Sequence, residues 1–406
     1  MSLRKSVELF HELQFLKLSQ QSNIYGMSSF NVDGDSPKVV VATLGRLGEK
    51  IFSVDVNKLR VPKLQSLDFS YIPAEAEIIA IDTFVKPPNS AVIGVALIKQ
   101  DQNARQAFLN IYGVRVDSTA SFSWTSIADD WQTLPLSFVP FQLTHTQVLI
   151  SDQWETVFLL SGDDMKVHVF RLVENSEAES TIYEEPCHSW FPELVDIPSS
   201  VTFMDFKQFG NQRLTVVACQ SGYVRFSITD VTSLSNMKTW DLRSIDGPFT
   251  VARFFTLNTN TPGDQKYHLL VATALELAVV FWDVIKYQFK KPITLPESCH
   301  HDSIMCGLVA DIDWDGVNEI VIGTYGKRLL VYKCTMTIED IGHFELQWKR
   351  QFAYPLHSLS YEDITRDGVK EMVVLSTAGV HILQHDLQAA RRKCLDSLQN
   401  NLPPYR

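Results

Sequence analysis

One pattern recurs seven times along the 406 residues: an apolar β-run, a small residue or two, a tight turn, and a second apolar or aromatic run. It occurs at Val39–Val54, Ala91–Tyr112, Thr156–Phe170, Leu214–Ile228, Leu269–Trp282, Ile320–Tyr332 and Met372–Leu383. Taken at Thr43, Val95, Ser161, Cys219, Thr273, Thr324 and Ser376, the copies lie 52, 66, 58, 54, 51 and 52 residues apart. Alternation and β-branched enrichment mark the runs as strands, and Gly45, Gly162, Gly222, Gly326 and Gly379 fit the turns between them. A strand pair cannot bury both of its faces alone, so each copy is the inner part of a larger unit stacked on its neighbours. A period near 50 with four strands per unit is that of a β-propeller blade. The expected fold is therefore all-β: a seven-bladed β-propeller over residues 1–385, followed by a short C-terminal helix in the tail 386–406. Two β-sandwiches would also show strand pairs, but not a single period along the chain.

Composition narrows the class of activity. Thirty-six basic against 47 acidic residues leave a net charge of −11, which opposes general nucleic-acid binding. No apolar run approaches the 18 or so residues of a membrane span. Met1–Leu18 interleaves Glu8, His11, Glu12 and Lys17 with its apolar residues, unlike a signal-peptide core. The six cysteines (Cys187, Cys219, Cys299, Cys306, Cys334 and Cys394) form neither a CxxC nor a tight framework, and there is no Asn-x-Ser/Thr acceptor. A cytoplasmic protein is expected.

Two places interrupt the repeat. Val114–Pro140 carries Trp124, Trp131 and Asp129-Asp130, and reads as outer strands with a projecting loop. Its two tryptophans are either partner anchors or fillers between blades. Glu174–Glu185 is an acidic Ser/Glu stretch expected to be a solvated loop. In the tail, Leu387, Ala390, Cys394 and Leu398 recur at helical spacing, fitting a helix that packs on a blade or meets a partner.

The last two copies are each preceded by a carboxylate loop. Asp311, Asp313, Asp315 and Glu319, with Gly316, stand at positions 1, 3, 5, 9 and 6 of the first. Asp363, Thr365, Asp367 and Glu371, with Gly368, occupy the same positions of the second. That is the spacing of a short calcium loop, in which alternate oxygens converge and Gly allows the sharp turn. The second loop has one carboxylate fewer and is expected to hold Ca²⁺ more weakly. Equally, these side chains can bond backbone N–H groups and shape the turn with no metal. Elsewhere, His300-His301-Asp302 reads as an extended surface segment, Glu75 and Glu77 as a solvent-facing edge, and Arg391-Arg392-Lys393 as a helix end. No GxSxG, P-loop, GxGxxG or HExxH context is present. A non-enzymatic interaction platform is the favoured class, with a metal-dependent hydrolase at the Asp311 loop as the enzymatic alternative.

Several unusual segments match one family in order. Ser22–Gly26 (SNIYG), Phe69–Phe84, Phe108–Tyr112 (FLNIY), Glu155–Gly162, Phe191–Leu194 (FPEL), Cys219–Arg225 (CQSGYVR) and Gly379–His385 (GVHILQH) resemble the kaptin family. The two Asp-rich loops are similar to FG-GAP repeats of the integrin-alpha propeller. The resemblance runs from about Ser22 to His385. It implies a scaffold subunit of the KICSTOR complex on the lysosomal surface, positioning the GATOR complex that acts on Rag GTPases and so restraining TORC1 when amino acids or glucose run short. Implied partners are integrin-alpha FG-GAP repeat-containing protein two and the large scaffold seizure threshold two. The resemblance also implies, as an alternative, association with actin filaments at lamellipodia and stereocilia, for which the chain shows no recognisable actin motif.

Overall fold

The structure, a computed structural model, describes residues 9–31, 37–45, 48–57, 59–86, 90–100, 105–115, 124, 130–174, 180–234, 237–243, 246–257, 266–336 and 342–401. Its strands form seven four-stranded antiparallel sheets. Blade one spans Met27–Leu67, blade two Ala76–Leu136, blade three Pro140–Glu185, blade four Val201–Leu242, blade five Phe249–Thr294 and blade six Ile304–Gln351. Blade seven takes three strands from the end of the chain, Leu356–Glu362, Glu371–Ser376 and Gly379–His385. Its outermost strand, Phe10–Lys17, comes from the beginning. A helix, Leu387–Asn401, follows. The fold is the expected seven-bladed propeller with a short C-terminal helix.

Each repeat read from the sequence is the second and third strand of one blade. The second strands of blades five, six and seven (His268–Thr273, Glu319–Thr324 and Glu371–Ser376) are buried at every residue. A strand covered on both faces reads as a continuous apolar run, whereas an outer strand such as Gly342–Gln351 keeps the alternation. Seven apolar clusters fill the molecule, each shared by two neighbouring blades. Tyr112 sits between blades one and two, Trp282 and Tyr332 between five and six, and Phe226 between four and five. The core is thus a ring of seven interfaces, and no blade can bury its faces without both neighbours.

Four of the five hydroxyls at the repeat position act locally, while Ser161 bonds Gln142 of the neighbouring strand. Thr43 donates to the Lys50 carbonyl and Ser376 to that of Gly379, while Thr273 and Thr324 accept from the amides of Glu276 and Arg328. Each ties down the turn between the second and third strands. Val95 departs from this: it lies mid-strand between Ile81 and Asn110, so the long second-to-third spacing partly reflects an earlier register in blade two. Of the five turn glycines, only Gly222 has a left-handed backbone, with φ +82°. Gly326 is required for space instead, because a Cβ would lie 2.1 Å from the His301 carbonyl oxygen.

Two local expectations change, and the outer strand expected within Val114–Pro140 is found. Ser180–Glu185, within the acidic stretch read as a loop, is the outer strand of blade three, because Thr181, Ile182 and Tyr183 are strand formers and Ile182 is buried. Residues 175–179 lie outside the described residues. Asp130–Leu136 is the outer strand of blade two, while 116–123 and 125–129, including Asp129, are outside the described residues. His300 and His301 sit in a 3₁₀ turn, Ser298–His301, rather than an extended segment.

The ring is closed by Phe10–Lys17. Phe10 pairs with His385 and Lys17 with Gly379, through a bulge between Glu12 and Gln14. Arg350 of blade six bonds the Phe10 carbonyl and the Glu12 carboxylate, at 3.2 and 3.1 Å, and Glu12 also meets His381 at 3.0 Å. Just beyond the strand, the buried Ser22 hydroxyl donates to the Ser376 carbonyl and lies 2.8 Å from His357 Nδ1. Phe10, fully buried, packs on His385 and Trp348. Phe10→Ala is expected to cost about 3–5 kcal/mol, read by urea denaturation; a loss under about 1 kcal/mol would show that the closing strand contributes little.

Burial holds His357 and His385 of the closing blade neutral, lowering both to about 4, and lowers His381 as well. The unfolded chain therefore takes up protons first. Stability from these groups is complete above about pH 6.5 and is lost as pH falls towards 4. Limited proteolysis between pH 7.5 and 4.5 should show cleavage near residues 17–21 increasing ahead of cleavage in blade four.

Candidate functional site

The two carboxylate loops join the first and second strands of blades six and seven, on neighbouring parts of the same face. In the first, the Asp311 carboxylate accepts the amides of Asp315 and Gly316, at 3.1 and 2.9 Å. Asp315 accepts Val317 N–H at 2.9 Å, and the buried Glu319 accepts Ile312 N–H at 2.9 Å. The second loop repeats these bonds with Asp363 on Asp367 and Gly368, Asp367 on Val369, and Glu371 on Ile364. Gly316 and Gly368 have φ of +86° and +87°, where a Cβ would be strained, and Trp314 and Arg366 are also left-handed. Both loops are therefore two editions of one turn whose backbone donors are met by its own side chains.

They differ at the centre. In the first loop the Lys333 ammonium lies 2.5 Å from Asp313 Oδ2, 2.5 Å from Asp315 Oδ2 and 3.1 Å from Glu319 Oε1. Lys333 is on the third strand of blade six, directly across from Glu319 in register. Lys393, from the C-terminal helix, bonds the Asp313 carbonyl and lies 3.7 Å from its carboxylate. In the second loop the residue in the equivalent register is Gln384, whose amide donates to Asp367 and Glu371 at 3.3 and 3.4 Å, while Thr365 donates to Glu371 at 2.9 Å. Burial pushes Glu319 up to about 6 and Glu371 up to about 7. Burial opposes the charge on Lys333, but its hydrogen bonds to the three carboxylates outweigh this and raise its pKa. Asp313, Asp315 and Glu319 thus meet around an ammonium, while Asp311 is taken up by the backbone of the turn. Asp311, Asp313 and Asp315 bring oxygens close enough together to hold a cation, and the Lys333 ammonium lies against Asp313 and Asp315 there. Asp363, Asp367 and Glu371 also draw together, around an amide.

Trp124 and Trp131 are half-buried and pack against the cluster between blades one and two. Trp124 meets Phe30 edge-on at 6.1 Å. Trp131 stacks on Tyr71 with ring centroids 3.4 Å apart, and Tyr71 is 64% exposed with φ +64°. An aromatic surface is thereby formed at the seam of two blades.

Two segments of unusual sequence meet where blades three and four join, a relation the linear chain did not disclose. Pro192–Leu194, capped by Phe191, forms a 3₁₀ turn with Glu193 fully buried, and the Arg213 guanidinium donates to Glu193 at 2.8 Å and to the Trp190 carbonyl at 2.7 Å. Thr215 donates to the same Glu193 oxygen, and Arg213 lies over the Phe191 ring. From the CQSGYVR segment, Arg225 reaches the Val195 carbonyl, the Tyr223 hydroxyl and Asp241. The one available signal was charge: an isolated Glu beside Pro and Phe, with arginines on later strands, fits a buried ion pair.

In the central channel, Asp82 lies between Ser28 at 3.2 Å and His145 at 2.7 Å. A nucleophilic triad needs the imidazole between hydroxyl and carboxylate, so that it can take the hydroxyl proton. Here the carboxylate is in the middle, an arrangement that braces three blades.

A family model described as KICSTOR complex protein kaptin matches residues 10–395. The chain belongs to the kaptin family. The mouse (Mus musculus) protein described as KICSTOR complex protein kaptin is 38% identical over 400 residues, covering 96% of this chain and 91% of the mouse protein. Among solved structures, BBS1N, crystallised in complex with ARL6DN, aligns with a TM-score of 0.53 at 10% identity, over 93% of this chain and 99% of that one. Raptor of Chaetomium thermophilum aligns with a TM-score of 0.53 at 12% identity, over 93% of this chain and 29% of its own. At such identities these two share the fold alone. The kaptin-family match begins at Phe10, the first residue of the closing strand. Within the family fold, removing one partner of the buried pair, by Arg213→Met, strands the Glu193 carboxylate. The expected cost is about 3–5 kcal/mol in urea unfolding, whereas the double change Arg213→Met with Glu193→Leu should recover most of it.

Proposed function

We propose that this chain is a non-enzymatic scaffold subunit of a KICSTOR complex, helping to bring the GATOR complex to the lysosomal surface and so restraining TORC1 signalling when amino acids or glucose are scarce. The kaptin-family match along almost the whole chain is the observation that carries this reading. The architecture supports it. Seven sheets locked through shared clusters make a rigid body with broad faces, and the ionisable groups described above are engaged in bracing turns, blades and the ring closure. The partners in this reading are a second FG-GAP-type propeller, integrin-alpha FG-GAP repeat-containing protein two, and the large scaffold seizure threshold two. GATOR would be engaged through the assembly. Among the described residues no helix is long and apolar enough to cross a membrane, so membrane attachment is assigned to the complex.

The Tyr71–Trp131 stack is the proposed partner contact, with Trp124 as its inner support. A rigid aromatic pair at a blade seam loses little conformational freedom on binding and offers the large amphipathic area typical of interface anchors.

Co-expression of the three chains followed by size-exclusion chromatography tests the assembly. Co-elution with the second propeller and the large scaffold is expected, and separate elution would remove the reading. Replacing Tyr71 and Trp131 together by Ala should weaken assembly by about 30-fold or more, while the thermal midpoint falls only modestly. Cosedimentation with actin filaments in the absence of those partners would instead favour the cytoskeletal role.

A further inference from the structure

We propose that Lys333 is the resident cation of the Asp311–Glu319 loop, taking the place a divalent ion occupies in a short calcium loop, so that this loop keeps its shape without metal. The carboxylates at positions 3, 5 and 9 converge on the Lys333 ammonium at 2.5, 2.5 and 3.1 Å. An ammonium has three donors, and three acceptors are supplied. The remaining carboxylate, Asp311, is engaged by two backbone amides and contributes to the turn. A divalent ion would have to displace Lys333 from two charge-assisted hydrogen bonds, to Asp313 and Asp315, and from the ion pair with Glu319, and share the site with a positive charge.

The second loop is an internal control. Its turn repeats the bonds of the first, but Thr365 replaces the carboxylate at position 3 and its amide adds a bond to Glu371. The residue facing the loop in the same register is the neutral Gln384 rather than a lysine. Four carboxylates go with an ammonium, and three with an amide and a hydroxyl. The facing residue follows the charge of its loop, as expected of a group that serves as the counter-ion. Lys393 adds a second ammonium at Asp313, so the same carboxylates also fasten the C-terminal helix to blade six.

Trp314, inside the first loop, provides a probe, because a terbium ion bound there is excited by energy transfer from its indole. The assay is tryptophan-sensitised terbium emission with displacement by calcium, on the full chain carrying Asp363→Asn to silence the second loop. With Lys333 present, emission should not saturate at metal concentrations up to about 1 mM, and the thermal midpoint should be the same in EDTA and in calcium. Lys333→Gln, which copies the second loop, should gain a saturable site at least about tenfold tighter, emptied by Asp313→Asn. Lys333→Arg should remain insensitive to calcium. Two results would overturn the proposal. One is saturable binding in the Lys333 protein that Asp313→Asn abolishes. The other is a folded Lys333→Gln protein that binds no more tightly than its parent. Should Lys333→Gln fail to fold, the calcium response of the Lys333 protein decides the question by itself.

Discussion

A ring of sheets holds its shape only if its ends are joined, and here a single eight-residue strand joins them. Phe10–Lys17 supplies the fourth strand of the last blade, so the beginning of the chain is hydrogen-bonded to Gly379–His385 at the end. Without it, the edge of Gly379–His385 would be unpaired and the Phe10 side of the cluster between blades six and seven would open. The cluster between blades seven and one, which includes Leu16 and Leu18, would lose its cover too. Each blade depends on both neighbours for burial, so a breach at the closure is felt around the ring.

The same constraint explains why polar groups are concentrated where they are. At the closure, Ser22, His357, Glu12, His381 and Arg350 bond one another across more than three hundred residues of sequence. Between blades three and four, Arg213 and Glu193 bury a charge pair in which Glu193 Oε1 takes Arg213 and Thr215 while Arg213 also meets the Trp190 carbonyl and the Phe191 ring. Such pairs add little net stability over apolar packing, but a ring assembled from seven similar blades needs contacts that only the correct neighbour can satisfy. The carboxylate loops apply that logic to a turn: Asp311 and Asp363 accept from backbone donors, while Lys333 and Gln384 face the carboxylates that remain.

Much of this was legible in the residues. Seven strand pairs near a fifty-residue period led to seven blades, because a strand buried on both faces must be apolar throughout and the chain repeats such strands regularly. The carboxylate spacing led to the correct turns, since positions 1, 3, 5, 6 and 9 are a local property of the chain. The outer strand Ser180–Glu185 was misread because its acidic, solvent-facing residues outweigh the buried Ile182 in composition. Val95 was placed in the wrong register because a longer blade carries the same apolar pattern two or more residues out of phase.

What the sequence determined by itself was periodicity and local chemistry: the number of blades, the turns, and the family to which their unusual segments belong. What only the tertiary structure decided was partnership at long range. Nothing in Met1–Leu18 announces a propeller strand, because a lone half-polar run acquires that identity only from the edge it pairs with. Nothing around Lys333 announces a counter-ion, because the lysine reaches the loop across a strand pair, 14 residues beyond Glu319 in the chain. Cross-strand register and ring closure bring such groups together, and both are properties of the assembled fold.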